Sequence, residues 1–386
     1  MNVPKLRFKE FNDEWNDKCL NDIASITMGQ SPNSKNYTSN KNDTILIQGN
    51  ADLNEGHVVP RLFTTQVTKT CNINDILMTV RAPVGDIAIS EYNACIGRGV
   101  CSISGDKYIY HYLDYLKTKD YWKKISKGST IDSITSNDIK KLRIKFPNND
   151  ESKKIVKTMD LLNKKIELQI KKLEDLKLFK KGLLDIIFNN NFINSKKLNE
   201  LNIIVSDGNY GELYPKSNEL TDIGEVPFIR VNNLVDLHLT FNNMKYITKE
   251  KHASLLSGHL QENDILITTR GDIGKVAIVD KKFIDANINA QIALLRLNNK
   301  SEVIPYYLLE YLNYNYNYIQ TFITGSALKQ LPIKNLMKLQ IKFPSIEIQR
   351  KYSKLLIIYN KKIGIENQIL DKLNELKKGL MQSMFV

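Results

Sequence analysis

The chain has 386 residues, with 55 Lys and Arg against 42 Asp and Glu and a formal charge of +13. This length has room for two domains, and the basic excess favours a polyanionic partner, although a merely basic surface gives the same count. The four cysteines form no CxxC pair, which is typical of a reduced compartment. No apolar run resembles a signal peptide or approaches the roughly 20 residues of a membrane span, so a cytoplasmic location is expected.

The first part of the chain, residues 1–147, has the pattern of a mixed α/β module. Short apolar runs predict strands, and DILMTVRAPVGDIAIS predicts a β-hairpin with a Pro-Val-Gly turn. Loops rich in turn-forming residues separate these runs. The predicted strands lie within 15–28, 44–48, 75–90 and 142–146, the polar loops at 29–42, 49–54 and 128–137, and an aromatic-rich helix at 108–124.

A second module, residues 191–344, repeats this plan. DILITTRGDIGKVAIV aligns with DILMTVRAPVGDIAIS residue for residue, which places Arg270 on Arg81. The frameworks agree while the loops differ, as expected for two readers of different targets, although neutral drift gives the same picture. The other matched segments are 198–207 with the strand region around Leu20, 209–218 with 29–42, 226–234 with 44–50, 305–322 with 108–124, and Gly325-Ser326 with Gly128-Ser129.

Two Lys-rich segments, residues 148–190 and 345–386, match without a gap at a constant offset of 197, since Pro344 corresponds to Pro147 and Phe385 to Phe188. So long a match indicates a duplicated unit. Apolar residues recur at alternating steps of three and four, the spacing of a coiled-coil seam, and about 40 residues make a helix of about 60 Å. The predicted coiled-coil contacts are Leu162, Ile166, Leu173 and Leu176 in the first copy and Tyr359, Ile363, Leu370 and Leu373 in the second.

Polar residues interrupt both seams at the same two places, which favours helices that pack on each other. An amphipathic helix packed only on its own domain remains the alternative. Parallel packing in register would place Lys180 opposite Lys377, so the antiparallel arrangement is favoured. The predicted fold is α+β, with two similar α/β modules separated by a long antiparallel two-helix coiled coil and related by a pseudo-two-fold repeat. The predicted domains are 1–147, 148–190, 191–344 and 345–386.

Motifs for catalysis are absent from the sequence. There is no GxxxxGK[ST] phosphate loop, no Asn-Pro dipeptide as an adenine methyltransferase would need, and no HExxH metal motif. We therefore predict no catalytic residue and no metal ligand. A stand-alone DNA methyltransferase or nuclease with its own recognition domains, and a coiled-coil scaffold without a DNA role, remain alternatives.

The polar loops carry side chains suited to nucleic acid. Arg and Lys pair with guanine and Asn and Gln with adenine, although most basic side chains touch phosphate and any one of these residues is as readily structural. Arg81 and Arg270 are favoured because they share one framework position, which also suits a phosphate-binding or structural role. The candidates are Lys35, Tyr37, Gln48, Asn50, Arg81 and Arg98 in the first module and Tyr210, Lys216, Arg230, Asn232, Asn233, Arg270, Lys275 and Gln291 in the second.

The chain repeats the order of module and long helix, with the matched segments DILMTVRAPVG and DILITTRGDIG in the two modules. Over its whole length it resembles the specificity subunit of a type I DNA restriction–modification system. The resemblance implies two target recognition domains, each reading one half of a bipartite, asymmetric site on double-stranded DNA. It implies spacer helices that set the distance between halves and dock modification subunits, two of them expected. One departure is that the usual Glu-Gln after the proline is only approximated by Glu151-Ser152 and by Glu347-Ile348-Gln349.

The resemblance also assigns the chemistry to other subunits. Modification subunits would supply S-adenosylmethionine and the adenine methyltransferase site, and restriction subunits would use ATP and Mg. No cofactor is expected on this chain, which is interpreted as a non-catalytic recognition subunit.

Overall fold

The structure is a computed structural model that describes residues 3–126, 133–189 and 194–386. It divides into two compact units, Met1–Lys172 with Glu366–Val386, and Leu173–Ile365. Each long helix therefore contributes residues to both units, whereas the boundaries predicted from the sequence fall at helix ends and stay a prediction. The predicted match of Gly128-Ser129 lies outside the described residues.

In the first unit, β9 and β10 form the predicted hairpin within an antiparallel sheet of order β10-β9-β12-β2. A second sheet has the order β3-β7-β4-β11-β8, with β4 and β11 parallel. The pairs β1–β13 and β5–β6 complete the unit. The strands are β1 (Asn16–Cys19), β2 (Ala24–Met28), β3 (Tyr37–Thr38), β4 (Thr44–Ile47), β5 (Leu53–Asn54), β6 (His57–Val58), β7 (Phe63–Thr64), β8 (Thr70–Cys71), β9 (Ile76–Thr79), β10 (Ile87–Ile89), β11 (Ala94–Ile96), β12 (Val100–Gly105) and β13 (Arg143–Phe146), and the helices before the first long one are α1 (Leu20–Ile23), α2 (Lys107–Thr118), α3 (Tyr121–Ser126) and α4 (Ser136–Lys140).

The second unit repeats this topology. Its main sheet has the order β15-β23-β20-β21, the same connectivity as β2-β12-β9-β10, and a smaller sheet has the order β19-β16-β22 with β16 and β22 parallel. The pairs β14–β24 and β17–β18 match β1–β13 and β5–β6. The elements are β14 (Asn194–Lys197), β15 (Ile203–Asp207), β16 (Val226–Ile229), β17 (Leu234–Val235), β18 (His238–Leu239), β19 (Lys245–Ile247), β20 (Ile265–Thr268), β21 (Val276–Ile278), β22 (Asn287–Ile288), β23 (Ile292–Leu297), β24 (Gln340–Phe343), α6 (Lys249–Ser254), α7 (Pro305–Tyr314), α8 (Tyr316–Gln320) and α9 (Ile333–Leu336).

Each module feeds directly into a long helix. The strand just before the helix pairs with the first strand of the module, Asn16 with Phe146 and Asn194 with Phe343. The helices are α5 (Asn149–Phe188, 40 residues) and α10 (Ile346–Met384, 39 residues). The strand pairing anchors the start of each helix to its own module, because backbone hydrogen bonds hold the connecting residues on the sheet.

The two long helices run antiparallel in both units. In the first unit the Gln169 amide donates to a carboxylate oxygen of Glu366 at 2.7 Å, while Met159 near the start of α5 shares a core with Met381 near the end of α10. In the second unit the Phe179 and Tyr359 rings stack at 5.0 Å. The predicted antiparallel pairing is confirmed, and the alternative of helices packed only on their own domains is excluded.

Every predicted coiled-coil position is buried or half-buried. This holds for Leu162, Ile166, Leu173, Leu176, Tyr359, Ile363, Leu370 and Leu373.

An aromatic residue at the end of each long helix packs into the module that the helix reaches. Phe385 lies 5.5 Å from Tyr108 and 5.7 Å from Tyr115 of α2. Phe188 contacts Tyr307 and Tyr311 of α7 at 5.4 and 5.5 Å between ring centroids. Each module core is thus built from its own sheet and from the ends of both long helices.

The seam lysines find acidic partners on the module helices. Lys180 lies 3.2 Å from Glu310, whose side chain is fully buried, and Asn360 donates to the same carboxylate oxygen at 2.6 Å. Lys377 pairs with Asp114 at 2.9 Å. The lysines that interrupt the apolar seam therefore bind the module helices instead of facing one another.

We expect Lys180→Met to lower the free energy of unfolding by about 3 kcal/mol, because it leaves the buried Glu310 carboxylate without its cation. The double variant Lys180→Met with Glu310→Gln should recover most of that loss. Urea unfolding measures both, with Lys181→Met on the exposed face as the control. Equal stabilities for the Lys180 and Lys181 variants would contradict the assignment.

Candidate nucleic-acid interface

In the first module, loops from four strands meet at one edge of the sheets. Val80, before Arg81, donates its backbone N–H to Gly99 at 2.9 Å. The N–H of Arg98 donates to the Ser31 hydroxyl at 3.1 Å, and the N–H of Gly97 donates to the residue just before Gln48 at 2.8 Å. Three predicted candidates, Gln48, Arg81 and Arg98, are thereby brought to the same turn.

The second module builds the same edge with the same backbone bonds. The N–H of Thr269, before Arg270, donates to Gln291 at 2.7 Å, and the N–H of Asn289 donates to the residue before Arg230 at 2.9 Å. The Tyr210 hydroxyl donates to the backbone of Ala290 at 2.9 Å. The edge therefore gathers four predicted candidates, Tyr210, Arg230, Arg270 and Gln291.

A glycine permits the close approach of loops in both modules. A Cβ at Gly29 would lie 2.2 Å from the carbonyl oxygen of Gly97, and a Cβ at Gly208 would lie 2.5 Å from the backbone of Asn289. Any larger residue would push the strand away from the turn it touches. The two glycines occupy matching places at the ends of β2 and β15.

The structure confirms the predicted equivalence of Arg81 and Arg270. Each makes an isolated antiparallel bridge, Arg81 with Ser133 and Arg270 with Gln330. The two hairpin turns that contain these arginines close in the same way. The Thr79 hydroxyl donates to the carbonyl of Pro83 at 2.7 Å, and the Thr268 hydroxyl donates to the carbonyl of Asp272 at 2.5 Å. The backbone around Arg81 and the backbone around Arg270 therefore make equivalent hydrogen bonds.

Arg270 is held in place by its neighbours. Its guanidinium lies 5.1 Å from the Tyr210 ring centroid, a cation–π distance, and donates to the Gln330 side chain at 3.3 Å. The Tyr210 hydroxyl oxygen also lies 2.7 Å from Asp207, so its one proton is shared between this carboxylate and the backbone of Ala290. Burial, followed by this bond to Asp207, raises the pKa of Tyr210 to about 12, so the hydroxyl keeps its proton at physiological pH.

The remaining candidates of the first module sit in other surroundings. Lys35 is exposed on the turn Ser34–Asn36, and the Tyr37 hydroxyl donates to the backbone of Pro32 at 3.3 Å. The Asn50 amide donates to Asp86, in a cavity that α5 also lines.

The remaining candidates of the second module are mostly at the surface. Lys216 and Asn232 are exposed, and Lys275 pairs with Asp272 at 2.7 Å in the hairpin turn that follows Arg270. Arg230 is held beside the edge, since its guanidinium donates to the backbone of Asn243 at 2.6 Å, just before β19, which pairs with β16.

The prediction that Asn233 reaches bases is wrong. Its side chain is fully buried, accepts from the N–H of Arg230 at 3.0 Å and donates to the backbone of Asn242 at 3.0 Å. Asp52 makes the equivalent bond in the first module, where its side chain accepts from the N–H of Gln48 at 2.8 Å. An Asn or Asp that binds nearby backbone is a common loop device, and here it shapes the loop from inside.

The sequence reasoning missed Ser31, Asn289 and Gln330. Gln330 carried a usable signal, because it stands 197 residues after Ser133 and close behind the repeated Gly-Ser pair. Asn289 donates its side-chain amide to Gln291 at 3.2 Å. These residues shape the edge and orient its candidates.

Within the described residues no helix is long and apolar enough to cross a membrane. The same part of the chain holds no group of three or more His, Cys, Asp or Glu residues placed to bind a metal ion.

The architecture consists of two modules with one topology, each with a loop edge built by the same backbone bonds. The family model for the type I restriction modification DNA specificity domain matches residues 12–178 and 190–375. The chain belongs to this family. It is a DNA specificity subunit of a type I restriction–modification system, with two specificity domains.

Relatives of known name agree. The type I restriction enzyme MjaIX specificity subunit of Methanocaldococcus jannaschii is 26% identical over 395 residues, which cover 92% of this chain and 89% of that protein. The putative MjaX specificity subunit of the same organism is 32% identical over 168 residues, only 42% of this chain and 39% of that protein.

Solved structures show the same fold. The S subunit of the type I restriction–modification system from M. genitalium has a TM-score of 0.68 at 17% identity, covering 100% of this chain and 99% of that one. A chain from work on complex assembly and conformational transition of the type I R-M system has a TM-score of 0.56 at 17% identity, covering 96% and 97%. At this identity the likeness concerns the fold alone.

We expect Arg270→Ala to weaken specific DNA binding by about 1–3 kcal/mol, because it removes the preorganised guanidinium from the edge. Arg270→Lys should restore only part of the affinity, since an ammonium makes neither the stack on Tyr210 nor a two-pronged contact. Fluorescence anisotropy with labelled duplex measures both. Arg350→Ala, at an exposed arginine of α10, is the control, and equal losses in the two alanine variants would count against a role for Arg270.

Proposed function

We propose that each module reads one half of a bipartite, asymmetric DNA site through the loop edge built around Arg81 or Arg270. One observation carries the proposal: the two edges share their backbone bonds but differ in side chains. The backbone carbonyls of Ile47 and Ile229 accept equivalent bonds. The next residue in the sequence is Gln48 in the first module and Arg230 in the second. A common scaffold with unlike readers suits two different half-sequences.

The division of labour on DNA follows from charge. The formal charge of +13 supplies phosphate contacts, which position a protein without reading sequence. Base edges in the major groove are read by side chains such as Arg, Gln and Asn. We assign the reading to the two edges and the positioning to the surrounding lysines, including Lys35, Lys216 and Lys275.

We propose that α5 and α10 act as the spacer between the half-sites. Support comes from the unbroken 40-residue span of α5 and from the antiparallel pairing seen in each unit. In two-headed DNA-binding proteins, the geometry of the linking element sets half-site spacing. The predicted domains, with the modules at 1–147 and 191–344, give this spacer its bounds.

We further propose that the spacer docks two modification subunits. Beside the buried seam each helix has exposed apolar residues in a second heptad row: Leu161 and Leu168 on α5, Ile358 and Ile365 on α10. These pairs match at the offset of 197. Two equivalent exposed surfaces fit two copies of one partner, and exposed apolar residues in rows are typical of an interaction site.

The chemistry then belongs to those partners. Modification subunits would bring S-adenosylmethionine and the adenine methyltransferase site, and restriction subunits would bring the ATP- and Mg-dependent activity. This chain contributes the choice of site. We assign the whole complex to the cytoplasm.

We expect a seven-residue helical insertion after Gln169, with a matching one after Glu366, to lengthen the gap between half-sites by about one to three base pairs. Seven residues add about 10 Å to a helix while keeping the seam in register, and DNA rises about 3.4 Å per base pair. Single-molecule sequencing of adenine methylation in cells carrying the complete system gives both gap and half-sequences. An unchanged gap with altered half-sequences would contradict the spacer role.

We expect Leu161→Glu with Leu168→Glu to remove one modification subunit from the complex, because two carboxylates would replace the apolar contacts. Ile358→Glu with Ile365→Glu should remove the other, and all four changes should remove both. Native mass spectrometry of the co-expressed subunits counts the copies. Lys164→Glu with Lys171→Glu, on exposed positions of the same helix, controls for added negative charge. Loss of both copies from either pair alone would contradict two equivalent sites.

A further inference from the structure

A tight loop at residues 324–330 stands beside the reading edge of the second module. The N–H of Thr324 donates to Gln330 at 2.9 Å, and the N–H of Gln330 donates back to Thr324 at 3.0 Å. Gly325 has a φ of +92°, and a Cβ there would lie 2.3 Å from the carbonyl oxygen of Leu328. Two backbone bonds and a glycine-only turn give this loop one defined shape.

Backbone contacts fix the loop to Arg270. Gln330 forms a bridge with Arg270, and the N–H of Leu331 donates to Thr269 at 2.9 Å. Thr269 in turn donates to Gln291 on the edge. The loop is therefore an extension of the surface that carries Tyr210 and Arg270.

The tip of the loop presents an unusual side chain for such a place. Leu328 is 87% exposed, and Ser326 and Lys329 beside it are exposed as well. Single exposed leucines are ordinary on protein surfaces. This one differs because a defined backbone holds it next to the arginine proposed to read DNA.

We propose that Leu328 contacts base edges in the duplex half-site bound by the second module, an inference that rests on the proposed function. An apolar side chain gains by covering the methyl group of thymine in the major groove or by wedging at a base step in the minor groove. Lys329, its neighbour, is assigned to phosphate.

The two residues differ in a measurable way. Neutralising a phosphate releases counterions, so each such contact adds close to one to the slope of log affinity against log salt. An apolar contact releases none. Loss of Leu328 should therefore lower affinity at every salt concentration without changing the slope, whereas loss of Lys329 should reduce the slope by about one.

The experiment uses the complex assembled with its modification subunits and a duplex carrying the site mapped by methylation sequencing. We expect Leu328→Ala to weaken binding about tenfold, equivalent to roughly 1.4 kcal/mol, and Lys329→Ala to reduce the salt slope. Leu328→Met, of similar apolar volume, should retain affinity. Ile223→Ala is the matched control, because Ile223 is 90% exposed and lies before β16, at the strand end opposite Arg230.

Affinity within twofold of wild type for Leu328→Ala would overturn the inference. So would an equal loss in Ile223→Ala, or an equal loss on a duplex of unrelated sequence, since neither fits a contact with bases. If the wild-type complex itself shows no preference for the mapped duplex, the proposed function fails instead. The two failures are thus distinguishable.

Discussion

The contact between Gln169 and Glu366 fixes the register on which the other features of the fold depend. These residues are equivalent in the repeat, at the offset of 197, and they bind each other at 2.7 Å. A position that contacts its own counterpart in the repeat fixes how the two helices are aligned in this unit. Lys172 adds a second bond to Glu366 at 2.7 Å. Sliding one helix by a heptad would take a nearly buried carboxylate away from both donors, which is strongly unfavourable. One polar residue in an apolar seam is a known way to set register.

From that register the rest of each unit follows. Antiparallel helices bring the end of α10 to the core that the start of α5 already occupies, so Phe385 meets the tyrosines of α2. Phe188 meets those of α7 in the same manner. Each module therefore rests on the ends of both long helices. This base has to be the same in both modules, because the two helices are copies of one repeated segment, whereas the loop edge does not have to be the same. The side chains at the edge can vary between modules, as Gln48 and Arg230 do, because strand ends and a glycine hold its backbone in one conformation.

Periodicity and repetition could be predicted from the sequence because both are local. The seam, the antiparallel direction and the equivalence of Arg81 and Arg270 needed only residue spacing. Contacts between distant segments had no such signal. A loop asparagine looks the same in sequence whether it faces solvent or, like Asn233, turns inward to bind its own backbone. The acids that pair with the seam lysines could not be found by the offset either, because Glu310 and Asp114 do not occupy matching places.

That mismatch has a physical meaning. Tyr108 and Tyr307 donate to the matching carbonyls of Lys145 and Lys342, so the residue equivalent to Glu310 is His111, which contacts Asp160 at 3.0 Å. The carboxylate for Lys377 comes instead from Asp114, one turn further along α2. The lysine occupies the same position in both long helices, whereas its acidic partner occupies a different position in each module. A long, flexible lysine can reach either place. For this contact the helix pair therefore requires a carboxylate on one face of the module helix, and that carboxylate can stand at either of two positions.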